Sequence, residues 1–287
     1  MKTVFVPLDG SERAEAALVA AVPLATRLDA ELVLLAARWP HAAIETTRKY
    51  LDERAASLDR PARTLVVLDR DPAAAIALAA SEHDAVVCMS TRGRGAVREA
   101  VLGSVAEEVV RVSTTPILLV GPRFESTWEL GENPIVLAGL DGSSPSRAAA
   151  LAAGGLALDM RARVRVVEVL LPYHVITDAE TPTPEVELIE EVVGELEASG
   201  VVAEYAVIDG FVVADSLVQE AGERHAAFIA LASHGRSGLA RTALGSVSVR
   251  TVSRASCPVL VAGPKSWEPI SFEEAGGRHV DVEHHQG

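Results

Sequence analysis

The residue types best suited to chemistry lie in two glycine-spaced segments, STRGRGAVREAVLGS (Ser90 to Ser104) and ASHGRSGLARTALGS (Ala232 to Ser246). In each, a glycine (Gly93, Gly235) is followed after nine residues by Gly-Ser (Gly103-Ser104, Gly245-Ser246). Glycine lets a backbone approach a ligand closely, and the unpaired N–H groups that open a helix attract phosphate. The chemistry on offer is therefore phosphate binding. For either copy alone, a turn with a helix cap is the stronger reading. Both Gly93 and Gly235, and Ser104 and Ser246, stand 142 residues apart, and Arg92 to Pro122 laid on His234 to Pro264 without gaps gives 11 identities in 31 positions. Such a register marks an internal repeat and favours one site built twice.

Other polar residues fall near the same places. Asp9 and Asp141 stand in LDGSE and LDGSS, where they can bind a ribose hydroxyl or an adenine amino group, or simply form an Asx turn; for Asp9 alone the turn is favoured. Arg92, Arg94, His234 and Arg236 flank the loop glycines and suit either phosphate oxygens or solvent. The loops are not Walker A motifs, since no Gly-Lys-Ser or Gly-Lys-Thr follows, and RGRG lacks the Rossmann spacing. No catalytic set recurs between the halves: His234, the best placed general base, has Arg92 as its counterpart, so any hydrolysis is expected to be slow.

These residues need a scaffold, and the apolar pattern supplies one. Strand-like runs at Thr3 to Leu8, Glu31 to Ala37, Arg63 to Leu68, Ala85 to Ser90 and Pro116 to Val120 alternate with helical stretches. The helices are expected at Arg13 to Leu28, His41 to Leu58, Pro72 to Ser81 and Ser104 to Val112. The second half repeats the order, with strands at Pro134 to Leu140, Val164 to Leu170, Ala203 to Ile208, Ala227 to Ala232 and Pro258 to Ala262. Its helices fall at Ser146 to Leu158, in the acidic stretch Glu185 to Glu197, and at Val213 to Arg224, with another beginning at Gly245-Ser246. Short aliphatic strands alternating with helices imply a mainly parallel sheet covered on both faces, with ligands beyond the carboxyl ends of its strands.

Composition narrows the function. The 287 residues are 49% hydrophobic but only 4% aromatic, which suits two aliphatic α/β cores. A net charge of −14 argues against nucleic-acid binding. No secretory signal pattern and no membrane-length apolar run is visible, so a cytoplasmic protein without membrane contact is expected. Cys88 and Cys257 read as inert thiols, not as a disulfide or metal site. The tail residues His279, Asp281, Glu283, His284 and His285 read as a solvated end more readily than as metal ligands.

The element order, the DGS turn, the glycine loop ending in GSV and the closing TPILLV and CPVLV strands resemble the universal stress protein family as a tandem pair. The division is 1–122 and 134–264, with a linker at 123–133 and a polar tail at 265–287. The resemblance implies two Rossmann-like domains of the adenine nucleotide alpha hydrolase type. Each would carry a five-stranded sheet ordered 3-2-1-4-5, the pair facing each other about a pseudo-two-fold axis through their last strands. It also implies ATP binding, with a divalent cation such as Mg²⁺, at Pro7, Asp9, Ala37, Ser90, Arg92, Gly93, Gly103, Ser104 and Val105. The second set is Gly139, Asp141, Val169, Ala232, His234, Gly235, Gly245, Ser246 and Val247, for nearly two nucleotides per chain. Ser90 and Ala232 replace the family's first loop glycine, and Gly139 replaces the proline matched by Pro7. The implied role is a stress-response protein regulated by ATP, possessing no catalytic residue set, with a homodimer of tandem chains or a regulatory protein as partner. The alternatives are a nucleotide-free scaffold and a slow ATPase or adenylyl-transfer enzyme.

Overall fold

The computed structural model describes residues 1–38, 43–92, 102–171, 184–235 and 244–266. The first half runs β1 (Thr3–Pro7), α1 (Glu12–Arg27), β2 (Glu31–Arg38), α2 (Ile44–Ala56), β3 (Arg63–Leu68), α3 (Pro72–Ser81), β4 (Ala85–Ser90), α4 (Ser104–Val112) and β5 (Ile117–Val120). The second runs β6 (Ile135–Gly139), α5 (Ser144–Met160), β7 (Arg163–Leu170), α6 (Pro184–Ala198), β8 (Ala203–Asp209), α7 (Val213–Glu223), β9 (Phe228–Ala232), α8 (Ser246–Arg254) and β10 (Val259–Ala262). Helix starts follow the side chains that cap them. Ser11 accepts from the Ala14 N–H, Asp71 from the Ala73 and Ala74 N–H groups ahead of Pro72, and Ser143 from the Ser146 N–H. Helix α2 begins at Ile44, after the expected start at His41, which lies outside the described residues.

All ten strands form one sheet, ordered β3-β2-β1-β4-β5-β10-β9-β6-β7-β8. Each half therefore has the expected 3-2-1-4-5 order and parallel pairing, and the halves meet where β5 and β10 pair antiparallel. Leu118 sits opposite Leu260, its own repeat counterpart, which places the pseudo-two-fold axis between them. Helices α1, α2, α5 and α6 cover one face of the sheet, and α3, α4, α7 and α8 the other. The segment between the repeats is not bare: Phe124 and Trp128 pack ring to ring at 5.8 Å and, with Leu130, lean on the core. Residues 267–287, including the tail histidines, lie outside the described residues.

Cys88 is fully buried and donates weakly to the Ala17 carbonyl, while Cys257 is 6% exposed. Burial pushes both thiols from 9.0 up to about 12. Neither thiol is expected to react with a maleimide in the native protein at pH 7.5, whereas both should react in denaturant, as counted by mass spectrometry. Because the folded pKa is raised, the thiols hold their full contribution to stability below pH 9 and lose it as pH rises toward 12.

Candidate functional site

In each half, a tight turn and a helix start lie at the carboxyl end of the strands. After β1, Gly10 adopts φ 85°, a backbone state glycine accepts without strain, and Gly142 repeats it at 80°. The Asp9 Oδ1 accepts from the Ser11 N–H at 2.9 Å and from the Ser11 hydroxyl at 2.6 Å. Asp141 does the same with Ser143, at 3.0 and 2.5 Å. The Asx turn expected from sequence is thus present, and it fixes each carboxylate at the strand end.

The helix after each glycine loop is capped by a glycine, not by the serine hydroxyl. Gly103 caps α4 and Gly245 caps α8, and neither can offer a side-chain acceptor to the first amides of its helix. Each glycine N–H instead donates at 2.6 Å to a carbonyl at the end of the preceding strand, Thr91 or Ser233. A Cβ on Gly103 would stand 3.2 Å from the Thr91 carbonyl oxygen, so the chain passes closer there than a side chain fits comfortably.

A cleft of about 270 Å³ opens between these parts in the first half. It is lined by Pro7, Asp9, Ala37, Ser90, Arg92, Gly103, Ser104 and Val105, all expected from sequence. Gly93 lies outside the described residues, as do Arg94 and Arg236. The structure adds Arg38, Ile76 and Met89 to the lining. Ile76 and Met89 are 3% and 5% exposed and were not singled out by the sequence. Arg38 ends β2, and its guanidinium donates to the carbonyls of Asp9 (2.8 Å) and Ala37 (3.0 Å) and to the Thr47 hydroxyl (3.1 Å). A cation following an apolar strand was the signal available for it.

The Arg92 Nε is buried without a hydrogen-bond partner among the described residues, and so is the Nε2 of His234, its counterpart. Unlike an imidazole nitrogen, the arginine Nε is always a donor, so leaving it buried and unpaired is costly, and an anion in the first-half cleft would satisfy it. The cleft thus combines an apolar slot at Pro7, Ala37, Ile76 and Met89 with a carboxylate at Asp9 and two guanidinium groups. A helix N-terminus opens onto it at Ser104. Such a combination fits an aromatic base, a hydroxylated sugar and a polyphosphate.

In the second half the expected residues gather at the corresponding sheet end. Gly139 ends β6, Asp141 follows it, Val169 lies near the end of β7 and Ala232 ends β9. His234 and Gly235 start the loop, and Ser246 and Val247 open α8. A Cβ on Gly235 would stand 2.0 Å from the Asp141 Oδ2, so the loop glycine lies directly against that carboxylate.

Comparison with known proteins agrees with the repeat. The family model described as "Universal stress protein family" matches twice, over residues 1–121 and 133–263. A universal stress protein of Mycobacterium tuberculosis is 31% identical over 194 residues, 63% of each chain, and one of Mycolicibacterium smegmatis is 28% identical over 198 residues. The match thus spans less than two thirds of these relatives' length. The crystal structure of a universal stress protein from Archaeoglobus fulgidus superposes with a TM-score of 0.61 at 20% identity, covering 91% of this chain and 97% of that one. A protein solved as a putative universal stress protein from Pseudomonas aeruginosa gives 0.57 at 17% identity, covering 92% and 94%. Both likenesses concern the fold. Among the described residues no helix is long and apolar enough to cross a membrane.

Proposed function

The chain belongs to the universal stress protein family, and from that premise we propose that its first-half cleft binds ATP as a regulatory ligand in a stress response. The observation that carries the reading is the buried Arg92 Nε, without a partner among the described residues, in a cleft that also holds an amide-rich helix start and an apolar slot. In this reading the adenine lies between Pro7, Ala37, Ile76 and Met89. Asp9 meets the ribose, and the phosphates meet the α4 amides, Ser104 and Arg92. Mg²⁺ would enter on the phosphates and keep several waters, with the Asp9 carboxylate and Ser104 hydroxyl as oxygen donors lining the same cleft.

ATP acts here as ligand more than substrate. Among the described residues, the ionisable side chains lining the cleft are Asp9, Arg38 and Arg92. Arginine cannot take a proton at neutral pH, and the Asp9 Oδ1 already accepts two hydrogen bonds in its turn. Hydrolysis is therefore at most slow. The nucleotide would act on contacts with a regulatory protein or a second tandem chain in the cytoplasm. Equilibrium dialysis of the full chain against ATP and Mg²⁺ tests the reading: saturable binding at micromolar to millimolar ATP is expected, and a retentate without excess ATP at millimolar concentration would refute it.

A further inference from the structure

We infer that the chain carries one nucleotide site, in its first half, and that the equivalent place in the second half is filled by its own side chains. The inference rests on the ATP reading of the first cleft and revises the expectation of two nucleotides per chain. It stands on three differences between repeat-related positions.

The first is Gly139 in place of Pro7. A Cβ at Gly139 would lie 2.6 Å from the Leu231 Cδ2 and 3.2 Å from the Leu217 Cδ1, so two leucine tips occupy the space over the end of β6 where Pro7 stands over β1. Their counterparts, Met89 and Ile76, line the open cleft. The second is Val169 in place of Ala37, which adds two methyl groups at the position expected to face the base. The third is Ala232 in place of Ser90. Ser90 lines the cleft, whereas Ala232 is buried against Ala149 and Ala262.

Charge follows the same division. Leu170 replaces Arg38, and the loop before α7 reads Phe211-Val212 where the first half has Arg70-Asp71. Phe211 is 87% exposed, and α7 has no side-chain cap where Asp71 caps α3. The second half thus lacks cations at the two places where the first half has Arg38 and Arg70. Closing over its own leucines costs little, because an aliphatic slot without a ligand is best filled by aliphatic side chains.

Calorimetric titration of the full chain with ATP and Mg²⁺ decides the matter, beside the variant Ser104→Asp. The substitution places a carboxylate at the start of α4, where it repels phosphate while suiting the helix dipole, so folding is preserved. The expected result is one ATP per chain in the unaltered protein and at least a tenfold loss of affinity in Ser104→Asp. If that variant fails to fold, Arg92→Ala serves in its place with the same expected loss. Two ATP per chain would overturn the inference and leave the ATP reading of the first cleft standing, whereas one ATP still bound with unchanged affinity in the folded variant would overturn both. No heat in the unaltered protein, together with empty dialysis, would instead remove the reading itself and this inference with it.

Discussion

Replacing Gly121 or Gly263 by alanine is expected to destabilise the whole chain by about 2–3 kcal/mol each, the range seen for overpacked sites that repack poorly. These glycines follow β5 and β10, 142 residues apart. A Cβ on Gly121 would stand 1.9 Å from the Val252 carbonyl oxygen in α8, and one on Gly263 would stand 1.9 Å from the Val110 carbonyl oxygen in α4. Each glycine is thus seated on the backbone of the other half, and helix backbone cannot step aside as a flexible side chain can. The strands beside them, Ile117 to Val120 and Val259 to Ala262, are entirely buried, so the shift would also disturb the pairing across the pseudo-two-fold axis. Thermal and urea unfolding check this: melting points should fall by several degrees in each single variant and further in the double. Unchanged midpoints in all three would show that the halves do not lean on each other as described.

Asp9→Ala is expected to weaken ATP binding about 10- to 100-fold, corresponding to the roughly 1.5–3 kcal/mol of a hydrogen bond to a charged group. The same carboxylate holds the turn into α1 through Ser11, so loss of binding in this variant alone would not separate a ligand role from a structural one. Asp9→Asn makes the separation. An amide oxygen can still accept from the Ser11 N–H and hydroxyl, while the negative charge is gone. Its melting point should stay near that of the unaltered chain while its affinity for ATP falls several-fold, as read by calorimetry. Equal affinity in Asp9→Asn and the unaltered protein would assign Asp9 to the turn alone.

Much of the scaffold was legible because its signals are local. Arg63 to Leu68, Ala85 to Ser90, Pro72 to Ser81 and Ser104 to Val112 agree with the structure to the residue, each bounded by a turn residue, a capping aspartate or a glycine. The sheet order came with the family resemblance, since nothing local in an apolar strand says which neighbour it pairs with. Asp9 and Gly103, which line the first cleft, could be singled out from type and spacing. Ile76 and Met89 could not, because an apolar residue facing a cleft and one facing a core look alike in sequence. The closure of the second half was only half visible: Gly139 in place of Pro7 could be read, but not that Leu217 and Leu231 lean into the space it vacates. The serine of each Gly-Ser was expected as a possible cap, and the structure gives that position to the glycine because its N–H is drawn to the carbonyl of Thr91 or Ser233.

Amide hydrogen exchange with and without ATP and Mg²⁺ reads directly where in the fold the nucleotide sits. With nucleotide bound, the amides of residues 103–106 at the start of α4 should exchange more slowly, while those of residues 245–248 at the start of α8 keep their rates. Exchange at residues 103–106 that does not change at saturating ATP, or protection at residues 245–248 in their stead, would contradict the account.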